Sequence, residues 1–99
     1  MSAKVADITY QDKTILLAGE LDFFNVAALY AKSMPFIIQN DKTFVDFSRL
    51  SGSNSAGIAL MVEWLKLARR LNKTVEFKSV PAALGLIASA AGLDGLITH

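Results

Sequence analysis

The sequence predicts one α/β domain of two layers, built on a mixed four-stranded sheet with helices mainly on one face, and three observations carry that expectation. Four β-favouring runs alternate with helical patterns after an opening pair, in the order ββαβαβα. The breaks between them are of ordinary loop length, with no internal repeat, low-complexity tract or linker. The chain has 99 residues, of which 53% are hydrophobic and 19% charged, so a single core can form across residues 1–99.

The elements follow in order. Val5 to Tyr10 and Thr14 to Ala18 are β-favouring, and Gln11-Asp12-Lys13 between them predicts a hairpin turn. Gly19-Glu20-Leu21-Asp22 breaks the run, and Asp22 is placed to cap a helix from Phe23 to Ser33, ended by Pro35. The segment Met34 to Gln39 reads as a second helical turn begun at Pro35. Thr43 to Phe47 is apolar apart from Asp46, as a central strand covered on both faces would be. Ser48 to Asn54 is polar and turn-rich, and a long helix is expected from Ala56 to Leu71. Thr74 to Lys78 is the fourth strand, and Ser79 is placed to cap a last helix from Pro81 to Ala91, stopped by Gly92. Leu96-Ile97 remain for a tail contact. Right-handed crossovers then gather Gly19 to Asp22 and Ser51 to Gly57 on one edge of the sheet, where open α/β sheets place their binding sites.

Composition narrows the function. Ten basic and nine acidic residues are spread along the chain for a net charge of +1, which offers no basic stripe for nucleic acid. Cysteine is absent, so neither a disulfide nor a thiolate site can form, as suits a reducing compartment. Met1 to Tyr10 carries Lys4 and Asp7 without an apolar run, unlike a secretory signal, and the expected location is cytoplasmic. The most apolar stretch, Val80 to Ile97, is interrupted by Pro81, Gly85, Gly92, Asp94 and Gly95, which argues against a membrane span of ~20 apolar residues. Membrane association is expected only through a partner.

Catalysis finds little support. The one histidine is His99, at the end of the chain, so a nucleophile such as Ser55 has no evident base. Glu20 and Asp22 are two carboxylates in close sequence, but a glutamate before a capping aspartate is more simply a capped turn than an acid/base pair. No phosphate-binding loop with a following lysine is present, and a metal site has too few ligands. No cofactor and no small-molecule substrate are expected.

Two features point instead to docking. Ser48 to Gly57 crowds hydroxyls, an amide and two glycines ahead of a long helix, where Asn54 or Ser55 can serve as its cap or be presented to a partner. Within that helix, Ile58, Met61, Val62, Leu65 and Ala68 form one apolar stripe, and Leu60, Trp64, Leu67 and Leu71 form a second beside it. Together the stripes cover roughly 220° of arc, well beyond the ~100° that one core requires. Either the flanking helices bury both, or one margin is an exposed patch anchored by Trp64. Ala59, Glu63, Lys66, Arg69 and Arg70 mark the wet side.

Val45-Asp46-Phe47-Ser48, the turn Asn54-Ser55-Ala56-Gly57 and the apolar helix after it resemble the STAS-domain family, as does Leu17-Ala18-Gly19-Glu20-Leu21-Asp22. The resemblance spans nearly the whole chain and implies a STAS-type two-layer fold. Within the family it is similar to the cytoplasmic accessory subunit of the ABC transporter that moves phospholipid in Gram-negative envelopes, across Leu16 to Asp22 and Asp46 to Arg70. That likeness implies a non-catalytic subunit docking on the transporter's ATPase, peripheral to the inner membrane, through Asn54, Ser55, Ala56, Leu60, Trp64, Glu20 and Asp22. Signalling members carry an acidic residue before the hydroxyl that accepts phosphate, and Ser55 matches the hydroxyl position. Here the acidic position is Asn54 and Ser55 is followed by Ala56, which favours contact over phosphorylation. The alternative implied by the family is an anti-sigma-factor antagonist switched at Ser55.

Overall fold

The computed structural model describes residues 6–52, 55–90 and 97–98. Its elements are β1 (Asp7–Gln11), β2 (Thr14–Glu20), α1 (Val26–Gln39), β3 (Lys42–Gly52), α2 (Ser55–Arg70), β4 (Thr74–Lys78), α3 (Ala82–Ala90) and β5 (Ile97–Thr98). The sheet order is β1-β2-β3-β4-β5: the expected mixed four-stranded sheet, with a two-residue strand added at its edge. β1 and β2 are antiparallel, and every later pair is parallel. Each parallel crossover steps the same way across the sheet, so right-handed connections place all three helices on one face.

The hairpin closes on Asp12 and Lys13, both at positive φ, as a two-residue turn that matches strand twist requires. Along the strands Ile8, Ile15, Leu17, Val45, Phe47, Val75 and Phe77 turn into the core. Their neighbours Leu16, Phe44, Asp46, Glu76 and Lys78 are half-buried on the opposite face, where Lys78 Nζ lies 4.0 Å from the Phe44 ring centre. The core closes where Trp64 of α2 meets Phe77, with ring centres 6.2 Å apart, and Phe77 meets Phe47 edge-on at 5.9 Å.

Four expectations need correction. The helix expected from Phe23 to Ser33 begins at Val26 and runs unbroken through Pro35 to Gln39. Leu29, Ser33 and Ile37, spaced by four, stay buried on both sides of the proline, so packing outweighs its missing N–H. At its end Asn40 Nδ2 donates to the Phe36 carbonyl at 2.9 Å, and the Tyr10 ring stacks on Phe36 at 4.1 Å.

The strand expected at Thr43 to Phe47 continues to Gly52, because β2 also runs on past Ala18 to Glu20 and pairs with it. Register shifts between Leu16 and Ala18 and between Gly19 and Glu20 fit the two together, as bulges do next to sites. Gly19 takes a positive φ of 90° there, open to glycine alone without strain.

Ser79 does not cap the last helix. It sits at φ 56°, and the helix starts at Ala82 with the Pro81 carbonyl accepting from Gly85 N at 2.9 Å. The proposed stop at Gly92 lies outside the described residues. Finally, Trp64 is fully buried, as are Leu60 and Ala56, so no apolar margin of α2 anchored by Trp64 faces solvent. The stripes are packed except at the far end, where Leu71 is exposed: Leu67, Met61 and Ala68 are buried and Ile58, Val62 and Leu65 half-buried.

Candidate functional site

The carboxyl ends of β2 and β3 and the starts of α1 and α2 share one edge of the domain, as expected. Leu21, buried, follows β2, and the chain then turns over Asp22 to Asn25 before α1. This turn is tied by its own polar side chains. Asp22 Oδ1 accepts from Phe24 N at 2.8 Å and Asn25 N at 3.0 Å. Asn25 answers: its Oδ1 accepts from Asp22 N at 3.0 Å, and its Nδ2 donates to the Glu20 carbonyl at 2.9 Å. Asp22 therefore caps a turn rather than the helix itself, which moves the helix start to Val26.

The turn holds Phe23 and Phe24 outward, 61% and 98% exposed. Glu20 is exposed and Asp22 half-buried, and neither has an ion-pair partner among the described residues. Ser55 is exposed as the first residue of α2, whose first turn has no acidic residue and whose last turn carries Arg69 and Arg70. Ser55 thus lies at the positive end of a 16-residue helix. Ala56 and Leu60 follow directly beneath it in the core. Asn54 lies outside the described residues.

Of the residues expected at the site, Glu20, Asp22 and Ser55 reach the surface at this edge, while Ala56, Leu60 and Trp64 hold α2 from below. The residues that sequence reading missed are Asn25, Phe23 and Phe24. The spacing Asp22…Asn25 is a readable signal for a reciprocal turn. Nothing in the sequence, however, separates two surface phenylalanines from core ones. Among the described residues no helix is long and apolar enough to cross a membrane, and no group of three or more His, Asp or Glu side chains could hold a metal.

Residues 5–98 match the family described as "Mlab, STAS domain". The chain belongs to the STAS-domain family. A STAS relative in Haemophilus influenzae, the intermembrane phospholipid transport system binding protein MlaB, is 31% identical over 90 residues, covering 87% of this chain and 86% of that one. Among solved STAS structures, the anti-sigma factor antagonist SpoIIAA in its unphosphorylated form superposes with a TM-score of 0.74 at 19% identity, over 95% of this chain and 86% of that one. The phosphorylated Bacillus SpoIIAA gives 0.71 at 19% identity, over 95% and 89%. An anti-sigma factor antagonist from Mycobacterium paratuberculosis gives 0.69 at 15% identity, over 94% and 81%. The solved structures establish the shared STAS fold.

Proposed function

We propose that this STAS domain is a non-catalytic accessory subunit that docks on the ATPase of a phospholipid-transporting ABC complex and supports its assembly or activity. The observation that carries the reading is the likeness to MlaB, which spans most of both chains. The site is of the right kind for contact: an exposed hydroxyl, an exposed carboxylate and a tied turn, set on rigid elements. In this reading Asn54, Ser55, Glu20 and Asp22 meet the ATPase, and the buried Ala56, Leu60 and Trp64 fix the pitch of α2. The subunit works on the cytoplasmic side and reaches the membrane only through the complex.

The test is purification of a tagged chain from membranes in mild detergent. The expected companions are an ABC ATPase and its membrane-embedded subunits, lost when Ser55 is replaced by glutamate. Recovery of a soluble serine kinase, with phosphate on Ser55, would select an anti-sigma-factor antagonist instead. That second reading draws on the exposure of Ser55 at a helix start free of acidic residues.

A further inference from the structure

Between α1 and α2 the helical layer leaves a groove of about 290 Å³, lined by Val26, Ala27, Tyr30, Ala59, Leu60 and Glu63. Its lining is apolar except for Glu63 and the Tyr30 hydroxyl. The turn that carries the exposed Phe23 and Phe24 leads directly into Val26 of that lining, and the hydrogen bonds among Asp22, Asn25 and Glu20 fix its backbone. Groove and rings both expose apolar surface to water, the usual mark of an interaction site.

Charge states what kind of partner fits. Glu20 and Asp22 border the phenylalanines without ion-pair partners among the described residues, and Glu63 lines the groove. The basic side chain paired nearby is Lys66, 3.4 Å from Glu63 and exposed. A second copy of the chain would bring the same carboxylates face to face, and an anionic lipid surface would meet them with like charge. A groove between two helices accepts a third helix through residues spaced i, i+3, i+4 and i+7. We infer that this groove and its Phe23–Phe24 rim receive a basic amphipathic helix of a partner protein, apolar face inward, with lysine or arginine toward Glu20, Asp22 and Glu63. The inference takes from the proposed function that the chain works by docking, and its surface shares Glu20 and Asp22 with the contact proposed there, with Ala59 one helical turn on from Ser55.

The experiment uses the full chain and two labelled helical peptides of about five turns, with leucine on one face and either lysine or glutamate elsewhere. Fluorescence anisotropy should show the lysine peptide binding at least about ten-fold tighter than the glutamate peptide. Phe24→Ser and Ala59→Trp, both at exposed positions, should each weaken it by about ten-fold or more with unchanged thermal melting. Glu20→Lys with Glu63→Lys should abolish the preference for the lysine peptide. Equal binding of the two peptides, or binding indifferent to Phe24→Ser and Ala59→Trp, would overturn the assignment. So would a concentration-dependent dimer, in sedimentation, that Phe24→Ser dissolves. The peptides require no ATPase, so failure to recover an ATPase from membranes removes the proposed function alone.

Discussion

At the residue scale the most instructive side chain is Trp64. Its indole N–H donates to Ser33 Oγ at 2.6 Å, and that hydroxyl donates onward to the Tyr30 carbonyl at 2.8 Å. Both residues are fully buried, so the small polar chain is sealed between α1 and α2. Ser33→Ala should therefore strand a buried donor and cost about 1–3 kcal/mol, read as a lower urea midpoint. Adding Trp64→Phe to Ser33→Ala removes that stranded donor, and the double variant should cost less than the sum of the two single ones. Strict additivity would show that the indole and hydroxyl do not interact. The burial of Trp64 was not legible in its own helix. Two neighbouring apolar stripes have the same pattern whether the second is core or free surface, and the partner that decides the matter lies 31 residues away on another helix.

At the element scale, strand and helix identities were legible because they are written in periodicity, whereas their ends depend on neighbours. β4 falls on Thr74–Lys78 as expected, bounded by plain turn residues. β3 outruns its apolar stretch because Ser48 to Ser51, polar but for Leu50, have β2 to pair with. α1 shows the same in reverse, since a proline that should end the helix sits inside a stripe of buried residues. Pro35→Ala is expected to stabilise the domain: a proline in a helix interior costs about 3 kcal/mol, and restoring unfolded-chain freedom returns about 1 kcal/mol of that. A net gain of about 2 kcal/mol in chemical denaturation is the expected result; no gain would mean that the local backbone is already shaped around the ring. Asp22→Ala should cost about 1 kcal/mol by releasing two backbone N–H groups of the turn, again measured by denaturation. The edge strand carries a shifted acid: the Lys32 ammonium, then the Ile8 backbone N–H, hold the Asp7 carboxyl below its ordinary value. A lowered folded-state pKa adds stability that is present above the ordinary carboxylate value and is lost as pH falls through the lowered one. Lys32→Met should flatten that acid limb slightly, because both partners are largely exposed and the pair is weak.

At the scale of the whole molecule, the parallel crossovers collect the starts of α1 and α2 at one edge of the sheet, with an apolar groove beside it. That edge was legible from the order of elements alone, and the family from the residues around Asp22 and Ser55. The groove was not, because it depends on how far apart two helices pack. The consequence of this arrangement can be separated into fold and binding at Ser55. A carboxylate placed there meets the positive end of α2, in a first turn that holds no acid, and projects into solvent. Ser55→Glu should leave the domain folded, with a melting midpoint equal to or slightly above that of the natural chain. A partner surface shaped to a small neutral hydroxyl would instead have to desolvate that charge, at a cost of several kcal/mol unless a basic group stands opposite. Ser55→Ala removes only the hydroxyl, and binding should fall modestly, by about tenfold or less. Calorimetric affinity for the co-purified ATPase, measured for both variants beside their melting curves, checks this ordering. Glutamate binding as tightly as serine would place the contact elsewhere on the domain, while glutamate binding more weakly with an unshifted melting curve would assign the loss to the interface rather than to the fold.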